Sequence, residues 1–326
     1  MEPRQVQLWN EKLAMLLRAY PLLVPLVEEG LLEDFLLHLG FIHANDHCYR
    51  NCFHCPAYEG GFPLQSMPFA SLRRIVAEIG QAYADYCMRP LRSIASWRIS
   101  EPFDYYVKEK GGTRTTYDVA RLWREFLGQG LYIVTNGTEG KEFARKALLQ
   151  LVNEADLISQ IKLTITPFDT AWGTPKYFDD ITWDVCALAQ LWNLSSTRIE
   201  DPCGARFRIN VKVTEETRDS ACQFVARVLE RAGYAHTLNS LMADSKKIAV
   251  KPIYDLGSYT GNSPVPGAIK ITRPNGERYK PSPETRDQYQ YAVYSDGQVK
   301  VVDMYAFREF PILAKNGSPV KININY

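Results

Sequence analysis

The chain has 326 residues, 46% of them hydrophobic, and its 38 Lys and Arg nearly cancel its 37 Asp and Glu. That length suits one barrel-sized domain with appendages or two ordinary domains, and the near-zero net charge leaves no global field to draw the protein onto nucleic acid or an anionic membrane. Seven cysteines, an odd number without disulfide-like spacing, fit a reducing compartment, so a cytoplasmic location is expected. Before Gly40, Glu11, Lys12, Arg18, Glu28, Glu29, Glu33 and Asp34 interrupt every apolar run, so neither a signal peptide nor a transmembrane helix is expected.

From Gln5 to His38 apolar residues recur at helical spacing (Leu8, Leu13, Leu16, Leu17, Leu22, Leu23, Leu26) around a break at Pro21, which predicts an N-terminal helical segment over residues 1–39. From Gly40 to about residue 260 short apolar strands alternate with amphipathic helices, the pattern of parallel β/α units. Strands are predicted at Phe41–Asn45, Leu91–Ile99, Leu131–Thr135, Ile161–Thr166, Ala205–Val213 and Ile248–Ile253. Helices are predicted near Pro68–Tyr86, Tyr117–Leu127, Lys141–Val152, Asp179–Leu194 and Glu215–Ala232, with Gly128, Gly130 and Gly233 where helices should stop. The fold class that follows is α/β: a partial (β/α)6 TIM-like parallel barrel, or a doubly wound sheet. Residues 261–326 change character. Prolines give way to two short strands, Tyr291–Tyr294 and Val299–Val302, around an Asp296-Gly297 turn signal, so a small C-terminal β appendage beside the barrel mouth is expected.

In the fifth strand, Phe207, Ile209, Val211 and Val213 alternate with Arg208, Asn210 and Lys212. Period two sends the two sets to opposite faces. If helices cover the apolar set, the polar set lines an interior cavity; an edge strand with a solvated face is the plainer alternative. Lys162, Thr164 and Thr166 alternate in the same way on the fourth strand.

The most informative feature is Cys48-x3-Cys52-x2-Cys55, three thiols in one polar loop directly after the first strand. Thiolates select zinc, copper(I) or iron-sulfur clusters, and a cubane held by three protein ligands keeps one iron open. A structural zinc site with His43, His47 or His54 as fourth ligand and three ordinary buried thiols are the alternatives. A loop at the carboxyl end of a parallel strand is where barrels place active sites.

This loop, with the aromatic His54 just before the third cysteine, resembles the signature of the radical S-adenosylmethionine (SAM) superfamily, and the order of elements from Phe41 to Tyr259 is similar to that family. The resemblance implies one 4Fe-4S cluster on Cys48, Cys52 and Cys55, whose fourth iron is chelated by SAM. Ser100-Glu101-Pro102 looks like the family's Gly-Gly-Glu-Pro element, with Ile99 and Ser100 in place of both glycines; it implies contacts of Ser100 and Glu101 with SAM. Thr135-Asn136-Gly137 matches a common family turn. By the same resemblance Thr166, Arg208, Asn210 and Lys212 stand where the SAM carboxylate or ribose is met, and residues 251–257 form the adenine-side strand and loop. The implied chemistry is reductive cleavage of SAM to a 5′-deoxyadenosyl radical that abstracts hydrogen from substrate, fed by an electron donor such as flavodoxin or ferredoxin.

The stretch 294–303 resembles the hairpin that opens a SPASM or twitch extension, but Asp303 stands near the place of its first cysteine and no cysteine follows Cys222. A degenerate, cluster-free tail is expected. Cys87, Cys186, Cys203 and Cys222 are expected to be buried structural thiols, and the Trp172-Gly173 loop to line a pocket for a polar small molecule. The substrate class expected is a small polar metabolite such as a sugar, nucleoside or amino-acid derivative. Alternatives are a maturase of a ribosomal peptide, a transfer-RNA modifying enzyme, and a non-enzymatic zinc or iron-sulfur binding protein.

Overall fold

A computed structural model of the chain describes residues 14–46, 48, 65–86, 93–96, 100–169, 171–199, 201–252, 254–255, 269–270, 289–303 and 308–324. Leucine spacing drives the N-terminal helices: residues 14–19 are helical, and α1 (Val24–Glu28) and α2 (Leu32–His38) bury Leu26, Phe35 and Leu36. The strands follow as β1 (Leu39–Ile42), β2 (Tyr106–Glu109), β3 (Gly112–Thr115), β4 (Leu131–Thr135), β5 (Ile158–Ile165), β6 (Phe207–Val213), β7 (Ile248–Pro252), β8 (Tyr254–Asp255), β9 (Ile269–Lys270), β10 (Tyr289–Val293), β11 (Val299–Asp303) and β12 (Arg308–Pro311). Among them lie α3 (Phe69–Tyr86), α4 (Thr116–Leu127), α5 (Glu142–Asn153), α6 (Pro175–Leu188), α7 (Arg218–Arg231) and α8 (Leu238–Ala243). None of the described helices is long and apolar enough to cross a membrane.

The protein is mixed α/β, with β4, β5, β6 and β7 adjacent and parallel in one sheet. Helices cover one face. Leu131, Ile133, Ile161, Leu163, Ile165, Phe207, Ile209 and Val211 from these strands share a buried core with Leu148, Ile181, Val185, Phe224 and Val228 from α5, α6 and α7. Phe207 stacks on Trp192 with ring centroids 5.0 Å apart. Arg208, Asn210 and Lys212 point the other way, and Asn210 is buried there while Arg208 and Lys212 are half-buried. Local caps agree with the sequence: Thr115 N–H donates to Asp118 at the start of α4 at 2.9 Å, and Gly128 ends that helix with φ of 66°, a left-handed conformation cheap only for glycine.

A second sheet runs β1, β10, β11, β12. The tail is therefore no appendage beside the fold: β10 pairs with β1 in parallel, Phe41 opposite Ala292 and Ile42 opposite Val293. The physical reason is edge protection. A short, fully buried β1 would otherwise present unpaired backbone on that side. On its other side β1 meets residues 93–96, with Ala95 N–H donating to Gly40 O and Ile42 N–H to Ala95 O, each at 2.9 Å. Of the strand predicted at Leu91–Ile99, residues 93–96 are described and form this bridge, the flanks falling outside the described residues. Asp296-Gly297 does turn the hairpin, with φ of 81° at Gly297 and Gly297 N–H bonded to Tyr294 O at 2.9 Å.

Phe41, Ala95, Ala292, Tyr294 and Val302 form a small apolar cluster separate from the main core, and Tyr132 of β4 packs against it. The first strand group and the β4–β7 sheet thus share the side that faces away from the helices. Replacing Phe207 by Ala should lower stability by about 3–5 kcal/mol in denaturant unfolding. Val134→Ala, on the opposite face and 40% exposed, should stay within about 0.5 kcal/mol; equal effects would refute the two-faced assignment.

Candidate functional site

The carboxyl ends of β1 and β10 hold the root of the cysteine loop. Asp46 N–H donates to Gln65 O at 3.0 Å, Met67 N–H to Ala44 O at 2.8 Å, and Asn45 bridges Ser66, so the segment carrying the cysteines starts and ends at one place. Asp46 accepts from the Ser295 N–H at 2.9 Å and from the Ser295 hydroxyl. Its other oxygen faces His43 Nδ1 at 3.2 Å. Burial alone would raise the Asp46 pKa, yet His43 and the two Ser295 donors together hold it below the usual carboxylate value. His43 is fully buried and lies flat on Tyr294, centroids 4.6 Å apart at 11°. Cys48 is half-buried. Cys52, His54 and Cys55 lie outside the described residues, as does His47.

The next station is Glu101. Asn45 Nδ2 donates to the Glu101 carbonyl at 3.2 Å, joining it to the loop root. The Glu101 side chain is 1% exposed and its carboxylate is taken up locally: Oε2 accepts from Asn136 N–H at 2.8 Å, and Oε1 from Phe103 N–H at 3.2 Å and from the Thr135 hydroxyl. Burial, then the charge of Asp104, outweigh these donors and push its pKa from 4.5 up to about 8. Glu101 therefore ties the end of β4 to the 100–104 segment, and its carboxyl is largely neutral at pH 7. Ser100 is half-buried beside it, its hydroxyl without a hydrogen-bond partner among the described residues.

Thr135 Oγ1 accepts from Gly137 N–H at 2.9 Å, closing the Thr135-Asn136-Gly137 turn. Only glycine fits at the third position. Its φ is 101°, and a Cβ there would sit 2.3 Å from Asp184 Oδ2, an oxygen that accepts from Thr138 N–H. At the end of β5, Thr166 is buried and its hydroxyl accepts from Phe168 N–H at 3.3 Å, fixing the following turn. Glu101, Thr135, Asn136 and the root of the cysteine loop are thus one hydrogen-bonded edge, with Thr166 on the same carboxyl side at the end of β5, the neighbour of β4. Arg208, Asn210 and Lys212 are on β6, on the face away from the helices.

That face also carries further basic residues. Lys162 stands directly beside Arg208, Lys251 beside Lys212, and Arg198 lies over the Tyr132 ring, 3.8 Å from its centroid. The alternation in β5 foreshadows Lys162. Nothing in the sequence foreshadows Arg198, which arrives from a loop, or the burial of His43 under Tyr294. Conversely, Cys186 and Cys203 are exposed and Cys222 is half-exposed, so the expectation of buried structural thiols fails for them. Cys186 and Cys222 lie on helix surfaces away from the apolar stripe that packs inward, and partial burial raises both thiols rather than activating them. Cys87 falls outside the described residues. The Trp172-Gly173 loop lines a cleft of about 380 Å³ with Phe178, Phe224 and Arg227, but Trp172 packs 4.5 Å from Phe224 on the helix side of the sheet.

Among the described residues no group of three or more His, Cys, Asp or Glu side chains converges as a metal site would, and two of the three loop cysteines lie beyond those residues. Compared with known proteins, the chain matches no family model and no curated protein.

Because Glu101 binds its proton more tightly in the folded chain, its contribution to stability is complete below about pH 4.5 and is lost as pH rises through about 8. Glu101→Gln keeps the shape without the titration. The wild-type Tm should therefore fall relative to the variant between pH 5 and 8 in thermal melts; parallel pH profiles would contradict the burial of an ionisable group there.

Proposed function

We propose that this chain is a radical SAM-type enzyme, a partial (β/α)6 barrel that holds one 4Fe-4S cluster on Cys48, Cys52 and Cys55 and acts on a small polar metabolite. The observation that carries the reading is the joined carboxyl edge: the cysteine loop root, Glu101 and the Thr135–Asn136 turn are linked in sequence by Asn45 Nδ2 to Glu101 O and by Asn136 N–H to the Glu101 carboxyl. Parallel sheets bind ligands at that edge. The donor set also fits, since three thiolates suit an iron-sulfur cluster and leave one coordination position for SAM.

When bound, such a cluster supplies the low-potential electron that cleaves SAM, and hydrogen abstraction from substrate follows. The chain's own residues do the positioning. Glu101 spends its carboxyl oxygens on Phe103, Thr135 and Asn136, so it acts by presenting the 100–101 and 135–137 backbone to the SAM amino group. Thr166 and Lys212 stand nearest the edge for the SAM carboxylate, with Asn210 below them for ribose. The concave side, walled by Phe41, Ala95 and Tyr294, excludes water from a reactive carbon centre.

A second reading has one observation in its favour. His43 Nε2 is buried without a hydrogen-bond partner among the described residues while Asp46 faces Nδ1 at 3.2 Å, the carboxylate-histidine arrangement that accompanies zinc ligands; three cysteines and His43 would make a structural zinc site. Anaerobic iron-sulfide reconstitution separates the two. Broad visible absorption, 5′-deoxyadenosine formation from SAM under dithionite, and loss of both in Cys52→Ala are expected; bound zinc with a colourless protein and intact SAM would end the enzyme reading.

A further inference from the structure

We propose that Lys162 is a nucleophilic amine, the place where this chain takes up a small aldehyde or ketone covalently as an imine. The inference deepens the proposed function by naming carbonyl compounds as the substrate class, and rests on that reading only for calling the compound a substrate. Lys162 lies on β5, on the face turned away from the helices, with Arg208 of β6 as its neighbour in register on one side and Val134 of β4 on the other. Its Nζ stands 5.0 Å from the centroid of the Tyr132 ring, and Arg198 lies over the same ring at 3.8 Å. The amine is thus set among two guanidinium groups and an aromatic face.

Guanidinium groups do not give up their charge, so a further positive charge beside them is disfavoured. Burial acts first, then Arg198 and Arg208, and together they bring the Lys162 pKa from 10.5 down to about 8. Asp201, among the described residues, acts on Lys162 in the other direction, and it is shared: it lies 3.9 Å from Arg208 and accepts from Gln160 Nε2 at 3.0 Å. Lys251 of β7 stands level with Lys212, four residues along β6 from Arg208, and feels Lys162 from there. About a quarter of Lys162 is then neutral at pH 7.5, against about one part in a thousand for a lysine at 10.5.

A neutral lysine amine is a nucleophile, and a cationic neighbour is one of the ways a protein makes one. Access is open. Lys162 is half-buried rather than sealed, and Val134 beside it is 40% exposed. The step needs no oxidant or reductant: the amine nitrogen bonds to the carbonyl carbon, the two amine hydrogens leave with the carbonyl oxygen as water, and a C=N bond remains. Charge separates this role from that of a general base. Accepting a proton would place a new charge beside Arg208, whereas the imine is neutral.

The test is reaction of the full chain, purified anaerobically, with propanal followed by a sodium borohydride quench, each propylated lysine being located by peptide mass spectrometry. Lys146, exposed on α5, is the internal reference. The ratio of Lys162 to Lys146 modification should fall more than about tenfold between pH 7.5 and pH 10, because an amine titrating near 8 is already neutral where an ordinary lysine amine is still losing its proton. Arg208→Gln removes one guanidinium and should lower the ratio at pH 7.5 about threefold or more, and Arg198→Gln should act in the same direction. A ratio independent of pH, or Lys162 unmodified while Lys146 reacts, overturns the proposal, as does an unchanged ratio in both variants. The wild-type profile needs no substitution, so it decides the matter even where a variant fails to fold. Neither cluster nor SAM enters the reaction. Preferred modification of Lys162 in a zinc-loaded protein that leaves SAM intact therefore sinks only the enzyme reading, whereas 5′-deoxyadenosine formation without that preference sinks only this inference.

Discussion

The position of β1 between two parallel neighbours constrains everything functional in this chain. Residues 93–96 bond to it on one side and β10 on the other, so the loop carrying Cys48 leaves from the interior of a strand array. A loop rooted on an edge strand would be free to swing. Here Asp46 is held by Ser295, 249 positions later in the chain, and Asn45 by the Glu101 carbonyl. Closing so long a loop costs conformational entropy that grows only slowly with length, and the return is a fixed root for the cysteine segment. The N-terminal helices reinforce the same strand pair, since the Tyr291 hydroxyl of β10 donates to Asp34 of α2 and the two rings Phe35 and Tyr291 sit 5.7 Å apart.

The sheet then divides its labour by face. One face is spent on stability, with Ile161, Leu163, Phe207, Ile209 and Val211 all inaccessible under the helices. The other carries Lys162, Arg208, Lys212 and Lys251, whose partial burial lowers all three lysines' pKa values. The first face is packed core, whereas the second holds lysines whose charged form burial disfavours. Residues that lower stability where they stand are candidates for function on energetic grounds alone.

Local features were the legible part of the sequence. The boundaries of β4, the alternation in β6, the Gly128 helix stop and the Asp296-Gly297 turn all follow from short-range rules, and the structure has each of them. The β2–β3 hairpin escaped because its strands, Tyr106-Val107-Lys108-Glu109 and Gly112-Thr113-Arg114-Thr115, carry almost no apolar periodicity; Gly111-Gly112 was the one cue available. The pairing of β10 with β1 escaped for a different reason, since periodicity says which face a strand buries and nothing about which strand lies beside it. The joined edge at Glu101 was legible as a set of residues in the right order, but its bonding was not: a Glu at that place reads equally as a ligand contact or, as its three donors make it, as a clamp.

At that clamp a buried carboxyl joins the β4 turn to the 100–104 segment, and Asp104, itself paired with Lys141, completes the link to the start of α5. The edge is stiffened by hydrogen bonds in place of being opened by small residues. The backbone groups of this edge are held from beneath by the buried Glu101 carboxyl, and Lys162 and Arg208 lie about 13 Å below it on the face away from the helices. That face therefore differs in kind along its length, with a hydrogen-bonded rim at the carboxyl edge and cations deeper down, where Tyr132, opposite Gln160, packs against Lys162 and Arg198.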